Sequence, residues 1–425
     1  MSAGLSRRAA AELLMETLDN QRTLDEALAT VEIFDRLQGP DRAFARAMAS
    51  AALRQLGRID IGLAPFLNRS LDTATPPSRA LLRIGAAQAW LMETPPHAAV
   101  SETVDAAKNW PRAKQAAGFV NAVMRKVTSD RAAFDAVPAL AVWPDWLQTA
   151  MLESLGTTGA EAVARAQVSE PALYLTPKDG DADALATLVE GEAVPGGSVK
   201  APSSAIEALP GFEDGTWWVQ DRAAALPAKL LQAAAGETVI DLCAAPGGKT
   251  MQLAATGAHV LAVDRSAKRL TRVNDNLART GLGEKVDVIT GNAEIWRPDT
   301  PAGKVLIDAP CSAFGTLRRH PEGAWIKRAG DVSRYPDIQK RLLRAAAEML
   351  ESGGIAIYCV CTPLKAEGLD VVEALITAGL YTREALTPAD APGFESAITA
   401  AGDILTLPQE EISHDAFFIA RLKKR

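Results

Sequence analysis

Several sequence features are missing from this chain of 425 residues, and each absence excludes a class of protein. The four cysteines, at positions 243, 311, 359 and 361, show no C-x-x-C spacing, so a disulfide framework and a zinc site are both disfavoured and we expect no metal. No apolar run is long enough to cross a bilayer, and the N-terminus lacks the apolar segment and cleavage site of a secretory signal. We therefore expect a cytoplasmic protein with no membrane partner.

An overall positive charge is also missing. The net charge of -7 argues against a protein that coats nucleic acid indiscriminately, although residues 1–130 carry a net +2 and the remainder -9. Residues 315–345 hold eight Lys and Arg side chains against three acids. Such a cluster could neutralise several phosphates, or it could be an ordinary solvated helix face. Charge alone leaves both interpretations open.

The length exceeds one ordinary core and predicts two to four domains. From residue 5 to about 125, apolar residues recur at spacings of three and four, and Gly-Pro or Pro-Pro pairs interrupt them at 39–40, 76–77 and 95–96. This pattern predicts an all-α domain of six or seven helices over 1–130. A weaker pattern over 135–215 predicts a small α+β module, with a helix at 146–166, a strand at 172–176 and a helix at 181–188.

From residue 220 strands and helices alternate, which predicts an α/β domain over 216–425. Repeated βα units of this length indicate a mostly parallel, doubly wound sheet of the Rossmann-like type, and fold analogy makes the last strand antiparallel. The predicted strands cover residues 239–243, 260–264, 286–290, 305–309, 355–361 and 417–422.

An acid and two thiols occur where two of these strands end. Pro310 interrupts the strand at 305–309 and leaves Asp308 and Cys311 at its carboxyl end, while Cys361 ends the strand at 355–361. Ligands of open α/β sheets bind at this edge, so we expect the active site there. Cys359 and Cys361 are two residues apart and share a face of a regular strand, so spacing alone does not select the reactive thiol.

A glycine-bearing turn follows the first strand of the domain, in the stretch VIDLCAAPGGKT at 239–250. Gly247 and Gly248 allow close approach of a ligand to the backbone, and the helix that follows presents free N–H groups that suit a carboxylate. Asp264, at the end of the next strand, is placed to bond a ribose. The stretch is neither a Walker A loop nor G-x-G-x-x-G, so the strand-turn-helix context carries the prediction of a nucleotide-like cofactor.

Four motifs in this order, DLCAAPGGKT, VLAVD, DAPCSAFGTLRRHP and YCVCT, resemble the NOL1/NOP2/Sun group of RNA 5-methylcytosine methyltransferases. In the N-terminal part, DRAFAR at 41–46 and GFVNAVMRK at 118–126 resemble the NusB family of RNA-binding domains. Together they resemble the bacterial 16S rRNA methyltransferase B type (Sun/Fmu). The resemblance covers nearly the whole chain and is thinnest between 130 and 215.

The resemblance implies S-adenosylmethionine as cofactor. The sequence departs from the family pattern in three places: Asn292 stands where relatives usually carry an acid, Ala313 where many carry Gly, and KAEG at 365–368 where many carry more acids. The implied cofactor-contacting residues are Cys243, Ala244, Ala245, Pro246, Gly247, Gly248, Lys249, Asp264, Asn292 and Asp308.

The resemblance also implies catalytic roles. Cys361, followed by Thr362 as the family pattern requires, is the nucleophile toward cytosine C6, and Cys311 assists proton removal and product release. Asp308 bonds the cytosine edge, and Lys249 is an electrostatic partner. A paired base cannot reach these thiols, so a flipped-out nucleotide is expected. The side chains expected to grip its flanking phosphates are Arg318, Arg319, Lys327 and Arg328.

These observations predict an RNA cytosine-C5 methyltransferase that acts on 16S rRNA as a monomer. Two alternatives stay open: the same chemistry on tRNA or large-subunit rRNA, and an RNA-binding assembly factor without catalysis. The presence of Asp308, Cys311 and Cys361 argues against the second. A DNA cytosine methyltransferase is disfavoured, because those enzymes resemble a single Pro-Cys arrangement rather than two strand-end cysteines.

Overall fold

The computed structural model describes residues 4–202, 205–409 and 413–425, and it divides into two compact units. A helical unit comprises residues 4–170 together with 317–329, and an α/β unit comprises 171–316 and 330–425. The multidomain layout agrees with the sequence, while the predicted boundaries at 1–130, 135–215 and 216–425 stay a prediction. Among the described residues, no helix combines the length and the apolar character needed to cross a membrane.

The helical unit begins its helices where the sequence predicted interruptions. One helix runs from Gly39, another from Pro76 and a third from Pro96. Proline is tolerated in the first turn because the N–H that it lacks has no partner within the helix there. The helices are α1 Gly4–Leu18, α2 Leu24–Thr30, α3 Glu32–Asp35, α4 Gly39–Arg54, α5 Leu56–Leu63, α6 Pro76–Leu91, α7 Pro96–Lys108, α8 Ala117–Ser129, α9 Ala132–Asp135 and α10 Asp145–Gln167, with the short helix Gly323–Ile326 in the same unit.

The core of this unit is built from small and branched side chains on the inner faces of α1, α4, α6 and α8. Ala9, Ala10 and Leu13 of α1 are fully buried, and an added methyl group on Gly4 would lie 2.7 Å from the Ala106 backbone nitrogen of α7. Small residues thus let the helices approach closely. Inside α10, Gly156 adopts φ 66° and ψ 174°, which breaks the predicted helix into two segments.

A small antiparallel sheet opens the α/β unit. Its strands are β1 Tyr174–Pro177, β2 Glu192–Val194, β3 Ser198–Lys200 and β4 Trp217–Val219, in the order β2-β3-β1-β4, with helix α11 Ala182–Val189 between β1 and β2. The sequence predicted β1 and α11 but not the other three strands, which are only three residues long.

The main sheet contains the predicted parallel strands. The order is β10-β12-β9-β8-β5-β6-β7, with β11 on β12; β5 to β9 pair in parallel, and β12 pairs antiparallel with β9, as predicted. The strands are β5 Thr238–Leu242, β6 His259–Asp264, β7 Val286–Thr290, β8 Ala302–Asp308, β9 Leu350–Val360, β10 Tyr381–Arg383, β11 Ile404–Thr406 and β12 Phe417–Lys424. The helices between them are α12 Leu226–Leu231, α13 Gly248–Ala255, α14 Ala267–Thr280, α15 Tyr335–Met349 and α16 Leu369–Thr377, with the single turn Ala329–Val332 before α15.

Helices cover both faces of this sheet, so its central strands are largely apolar, although β5 contains the buried acid Asp241. Val239 and Leu306 pack into one hydrophobic cluster, whereas their neighbours Ile240 and Ile307 pack into the other. The chain leaves β5 toward β6 and β7, then returns to β8 on the other side of β5. This reversal opens the crevice in which ligands of doubly wound sheets bind, above the carboxyl ends of β5 and β8.

Candidate active site

The parallel strands bring the predicted acid and thiols to one edge of the sheet. Asp308 is the last residue of β8 and lies in register with Cys359 of β9. Cys361 follows directly after Val360, the end of β9, and Cys311 lies in the loop after β8. The sequence predicted this meeting because parallel strands end at a common edge.

The two predicted catalytic thiols touch each other. The Sγ atoms of Cys311 and Cys361 are 3.3 Å apart, and both cysteines are free and partly exposed. Cys359 packs against the same hydrophobic cluster as Cys361, as their spacing predicted, but it is fully buried and its Sγ donates to Asp308 Oδ1 at 3.5 Å. Cys359 and Cys361, which spacing alone did not distinguish, therefore differ in their hydrogen-bond partners: Asp308 for Cys359 and Cys311 for Cys361.

The surroundings of Cys311 favour its protonated form. The hydrogen bond with Cys361, then burial, then the charges of Cys361 and Glu367 raise the pKa of the Cys311 thiol well above its ordinary value. Cys311 therefore stays a protonated thiol, and the predicted role of Cys361 as nucleophile stays a prediction.

Asp308 and Lys249 form an ion pair at the same edge of the sheet. Lys249 Nζ lies 2.7 Å from Asp308 Oδ2 and 5.5 Å from the centre of the Phe417 ring. Burial alone lowers the pKa of Lys249, but the negative charge of Asp308 reverses this effect and the pKa is raised overall. Lys249 is therefore a permanent cation at this edge of the sheet. Burial, followed by the charge of Asp308, raises the pKa of Cys359 well above its ordinary value, so Cys359 stays a thiol.

Hydrogen bonds fix the loop that carries Cys311 against the end of β9. Ser312 Oγ donates to Thr362 Oγ1 at 3.0 Å, and the Gly315 N–H donates to the Cys361 carbonyl at 2.9 Å. Ala313 adopts φ +57°, in the left-handed region that favours glycine. This backbone conformation explains why the resemblance implies glycine at this position, where the present chain carries alanine.

Sequence reasoning missed two buried side chains behind this loop. Glu367 Oε2 accepts hydrogen bonds from the Ser312 N–H at 2.8 Å and from Gln339 Nε2 at 3.1 Å. Gln339 Nε2 also donates to the Pro310 carbonyl at 3.0 Å. A single acid after the YCVCT motif is a weak signal in the sequence, and nothing in it predicted that residues 312, 339 and 367 meet.

The glycine-bearing loop follows β5 as predicted. Cys243 adopts φ +63° and Gly247 φ +104°, and helix α13 begins at Gly248. Burial, followed by the charge of Asp308, raises the pKa of Cys243 to about 12. Cys243 therefore stays a protonated thiol, and contact of this loop with a cofactor stays a prediction.

Asp264 anchors the loop from the end of β6. Its carboxylate accepts hydrogen bonds from the Ala245 N–H at 3.3 Å and the Ser266 N–H at 2.9 Å. Two further side chains, which sequence reasoning missed, support the same loop: Arg269 donates to the Ala245 carbonyl, and Asn276 Nδ2 donates to the Pro246 carbonyl at 3.3 Å. Both lie on α14 one turn or more after Asp264, where side chains of the helix face the loop.

Asn292, the predicted adenine contact, lies in the turn after β7. Its Oδ1 accepts a hydrogen bond from the Glu294 N–H at 3.1 Å, so its amide N–H2 points away from that bond.

Asp241 lies within β5 and is fully buried, and Thr250 Oγ1 donates to its Oδ2 at 2.6 Å. Burial raises the pKa of Asp241 to about 7.

The predicted RNA-contacting cations differ in exposure. Arg318 is 3% exposed and donates to Ser169 Oγ at 2.7 Å within the helical unit, so its placement argues against the predicted phosphate contact and indicates a structural role. Arg319 and Lys327 are partly exposed and Arg328 is exposed, and their contact with RNA stays a prediction. The Trp325 ring would lie 3.0 Å from a methyl group on Gly57, which fits packing in the helical unit.

Comparison with known proteins is decisive about the family. A protein from Pseudomonas putida named ribosomal RNA small subunit methyltransferase B is 32% identical over 441 residues, 98% of each chain. This chain belongs to the same family. A namesake from Pseudomonas syringae pv. tomato is 33% identical over 98% of this chain and 96% of its own. Family models described as 16S rRNA methyltransferase RsmB/F and as NusB match residues 228–423 and 5–129.

A solved structure agrees at the level of the fold. The crystal structure of PH0851 superposes with a TM-score of 0.75 over 99% of both chains, at 22% identity. Membership of the family makes the chain a methyltransferase that uses S-adenosylmethionine. The described residues contain no group of three or more His, Cys, Asp or Glu side chains that could hold a metal ion.

The residues at the predicted cofactor site fit S-adenosylmethionine. A methyl group added at Gly247 would lie 3.3 Å from Val273, which is a tight contact, and the φ of +104° at this residue also favours glycine. The first N–H groups of α13 suit the carboxylate of the cofactor, and both Asp264 oxygens keep a lone pair for ribose hydroxyls. Which of these residues bind the cofactor stays a prediction.

Proposed function

We propose that this protein methylates C5 of one cytosine in 16S rRNA through a covalent bond between Cys361 and cytosine C6. The observation that carries this proposal is the contact of two thiols, 3.3 Å apart, at the sheet edge that also carries the Lys249–Asp308 ion pair. A methyltransferase that acts on a nucleophilic amine or hydroxyl has no use for such a pair. Carbon C5 of cytosine is a poor nucleophile, so a thiol must first activate the ring.

Cys361 acts first in the proposed reaction. Its thiolate forms a bond to C6, and the electron pair of the C5–C6 double bond becomes available at C5. S-adenosylmethionine, when bound, supplies the methyl group as an electrophile. Asp308 bonds the cytosine edge, and the charge of Lys249 offsets the negative charge that builds up nearby.

Cys311 acts after methyl transfer. Once Cys361 is alkylated, the largest cause of the raised Cys311 pKa, its hydrogen bond with Cys361, is gone, so Cys311 can lose its proton to solvent. Its thiolate then takes the C5 proton. The electron pair of that C–H bond rebuilds the C5–C6 double bond while the S–C6 bond breaks, which returns Cys361 as a thiolate.

The proposed substrate rests on the relatives, which are named for small-subunit ribosomal RNA. We propose the cytoplasm as the site of action, because ribosomal RNA is there, and a flipped-out cytosine as the reacting base. We also propose that Arg319, Lys327 and Arg328 contact the flanking phosphates. Arg318 is left out because it is buried.

The test compares two cysteine variants with opposite expected behaviour. Bisulfite sequencing of rRNA and tRNA from cells lacking the gene should show one unmethylated cytosine in 16S rRNA, restored by the wild type but not by Cys361→Ala. Purified Cys311→Ala should instead accumulate RNA covalently attached to Cys361, visible as a slow band on a denaturing gel. A lost tRNA mark would overturn the substrate, and no change at any cytosine would overturn the enzyme.

A further inference from the structure

The peptide groups on both sides of Cys311 are held by one buried side-chain pair. The Pro310 carbonyl, before the thiol, accepts a hydrogen bond from Gln339 Nε2, and the Ser312 N–H, after it, donates to Glu367 Oε2. Gln339 and Glu367 are both fully buried and bond to each other. The direction of the Cys311 side chain is therefore set from behind by these two residues.

Glu367 is itself fixed from β9. Tyr358, fully buried in that strand, donates its hydroxyl to the Glu367 carbonyl at 2.5 Å, and the Glu367 N–H donates to the Leu364 carbonyl at 3.1 Å. The strand that delivers Cys361 thus also holds the carboxylate that positions Cys311. One rigid assembly sets the distance between the two sulfurs.

A buried carboxylate so close to the Cys311 peptide also acts through its charge. Apolar side chains would fill this space without the free-energy cost of desolvating a buried carboxylate. The charge opposes a second negative charge on Cys311 and makes its thiolate, once formed, a stronger base.

We propose that Glu367 is the positioning residue of Cys311: it holds the loop so that the two sulfurs touch, and its negative charge favours the protonated form of Cys311 until Cys361 has reacted. The inference rests on the proposed function, since it assigns Glu367 a part in the covalent reaction. Glu367 contacts neither cytosine nor cofactor in this account.

Two substitutions separate charge from geometry. Glu367→Gln keeps the shape and an oxygen that accepts from Ser312 but removes the charge. The acidic limb of its kcat profile should move down by about one pH unit, because loss of the Glu367 charge lowers the pKa of Cys311, the base of the last step. Its kcat should fall by about tenfold, since a weaker base removes the C5 proton more slowly. The fraction of RNA trapped on Cys361 should rise accordingly.

Glu367→Asp keeps the charge but shortens the reach to Ser312. Its kcat should fall while the acidic limb stays at the wild-type pH. The matched control is Asp403→Asn, another fully buried acid of the same unit, which bonds Arg383 at 3.0 Å and has no part in the site. It should lose stability with no shift of the profile and no trapped RNA.

The measurement is the pH profile of methyl transfer to 16S rRNA, together with the trapped fraction on denaturing gels. A Glu367→Gln enzyme with a wild-type profile and no extra trapped RNA would overturn the inference. If that variant does not fold, Glu367→Asp decides: wild-type kcat and trapped fraction would overturn positioning. A wild-type enzyme that never traps or methylates cytosine would overturn the proposed function instead.

Discussion

The buried carboxyl of Asp241 provides a test of the electrostatics beneath the site. Asp241 is fully buried in β5, and burial raises its pKa to about 7, against about 4 in an unfolded chain. The folded protein therefore binds this proton more tightly than the unfolded chain does. The carboxyl has no destabilising effect below about pH 4, an increasing one as the pH rises, and its full effect above about pH 7.

The substitution Asp241→Asn removes this pH dependence. A pKa difference of about three units corresponds to about 4 kcal/mol of destabilisation at pH 8, and to roughly 1.5 kcal/mol at pH 5. The amide that replaces Asp241 Oδ1, an atom with no hydrogen-bond partner among the described residues, incurs a desolvation cost of about 1–3 kcal/mol. That cost is the same at both pH values. The free energy of unfolding of the variant, relative to that of wild type, should therefore be about 2.5 kcal/mol higher at pH 8 than at pH 5.

Urea unfolding of the full chain at pH 5 and pH 8, followed by hydrogen exchange of the β5 amides, measures this difference. Asp275→Asn is the control, because Asp275 is exposed on α14 and should give the same difference from wild type at both pH values. An Asp241→Asn variant whose stability relative to wild type did not change between the two pH values would refute the assignment of a charged, desolvated carboxyl at neutral pH.

Two further predictions concern the loop and the thiol pair. Ala313→Gly should raise the melting temperature by one or two degrees, because the left-handed conformation costs alanine about 1 kcal/mol or more. The greater chain entropy of glycine in the unfolded state offsets only part of that gain. A lower melting temperature in differential scanning fluorimetry would contradict this prediction. Hydrogen peroxide should inactivate the enzyme reversibly by forming a disulfide between Cys311 and Cys361. Two thiols and one peroxide give one disulfide and two waters. The reaction is favoured because the two sulfur atoms need to approach only from 3.3 Å to about 2.05 Å. Peptide mapping should find this link and dithiothreitol should restore activity; reversible inactivation without a link between these two residues would argue against the pairing.

Much of the fold could be predicted from the sequence, because local signals are enough to predict most of its strands and helices. All six strands predicted for the main sheet are present, and a helix, α13, follows the glycine-bearing turn as predicted. Apolar runs bounded by glycine and proline determine where such strands end, whatever the rest of the chain does. The three short strands of the small sheet escaped prediction, because three residues carry too little periodicity to be recognised.

Only part of the candidate site could be predicted from the sequence. The motifs pointed to Asp308, Cys311 and Cys361, since strand ends of a parallel sheet share an edge. Arg318 looked like a phosphate ligand in the motif, yet it bonds Ser169, which lies far from it in the sequence. Charge in a sequence does not reveal whether a side chain is buried.

By itself the sequence determined the alternation of strands and helices, the glycine-bearing turn and the order of the acid and thiols, because each depends on neighbouring residues. Only the tertiary structure decided which cysteine meets Cys311, and it alone brought Glu367 to the Ser312 N–H from 55 residues away. Contacts of this kind depend on strand register and on the packing of α15 against the sheet, and no local pattern encodes them.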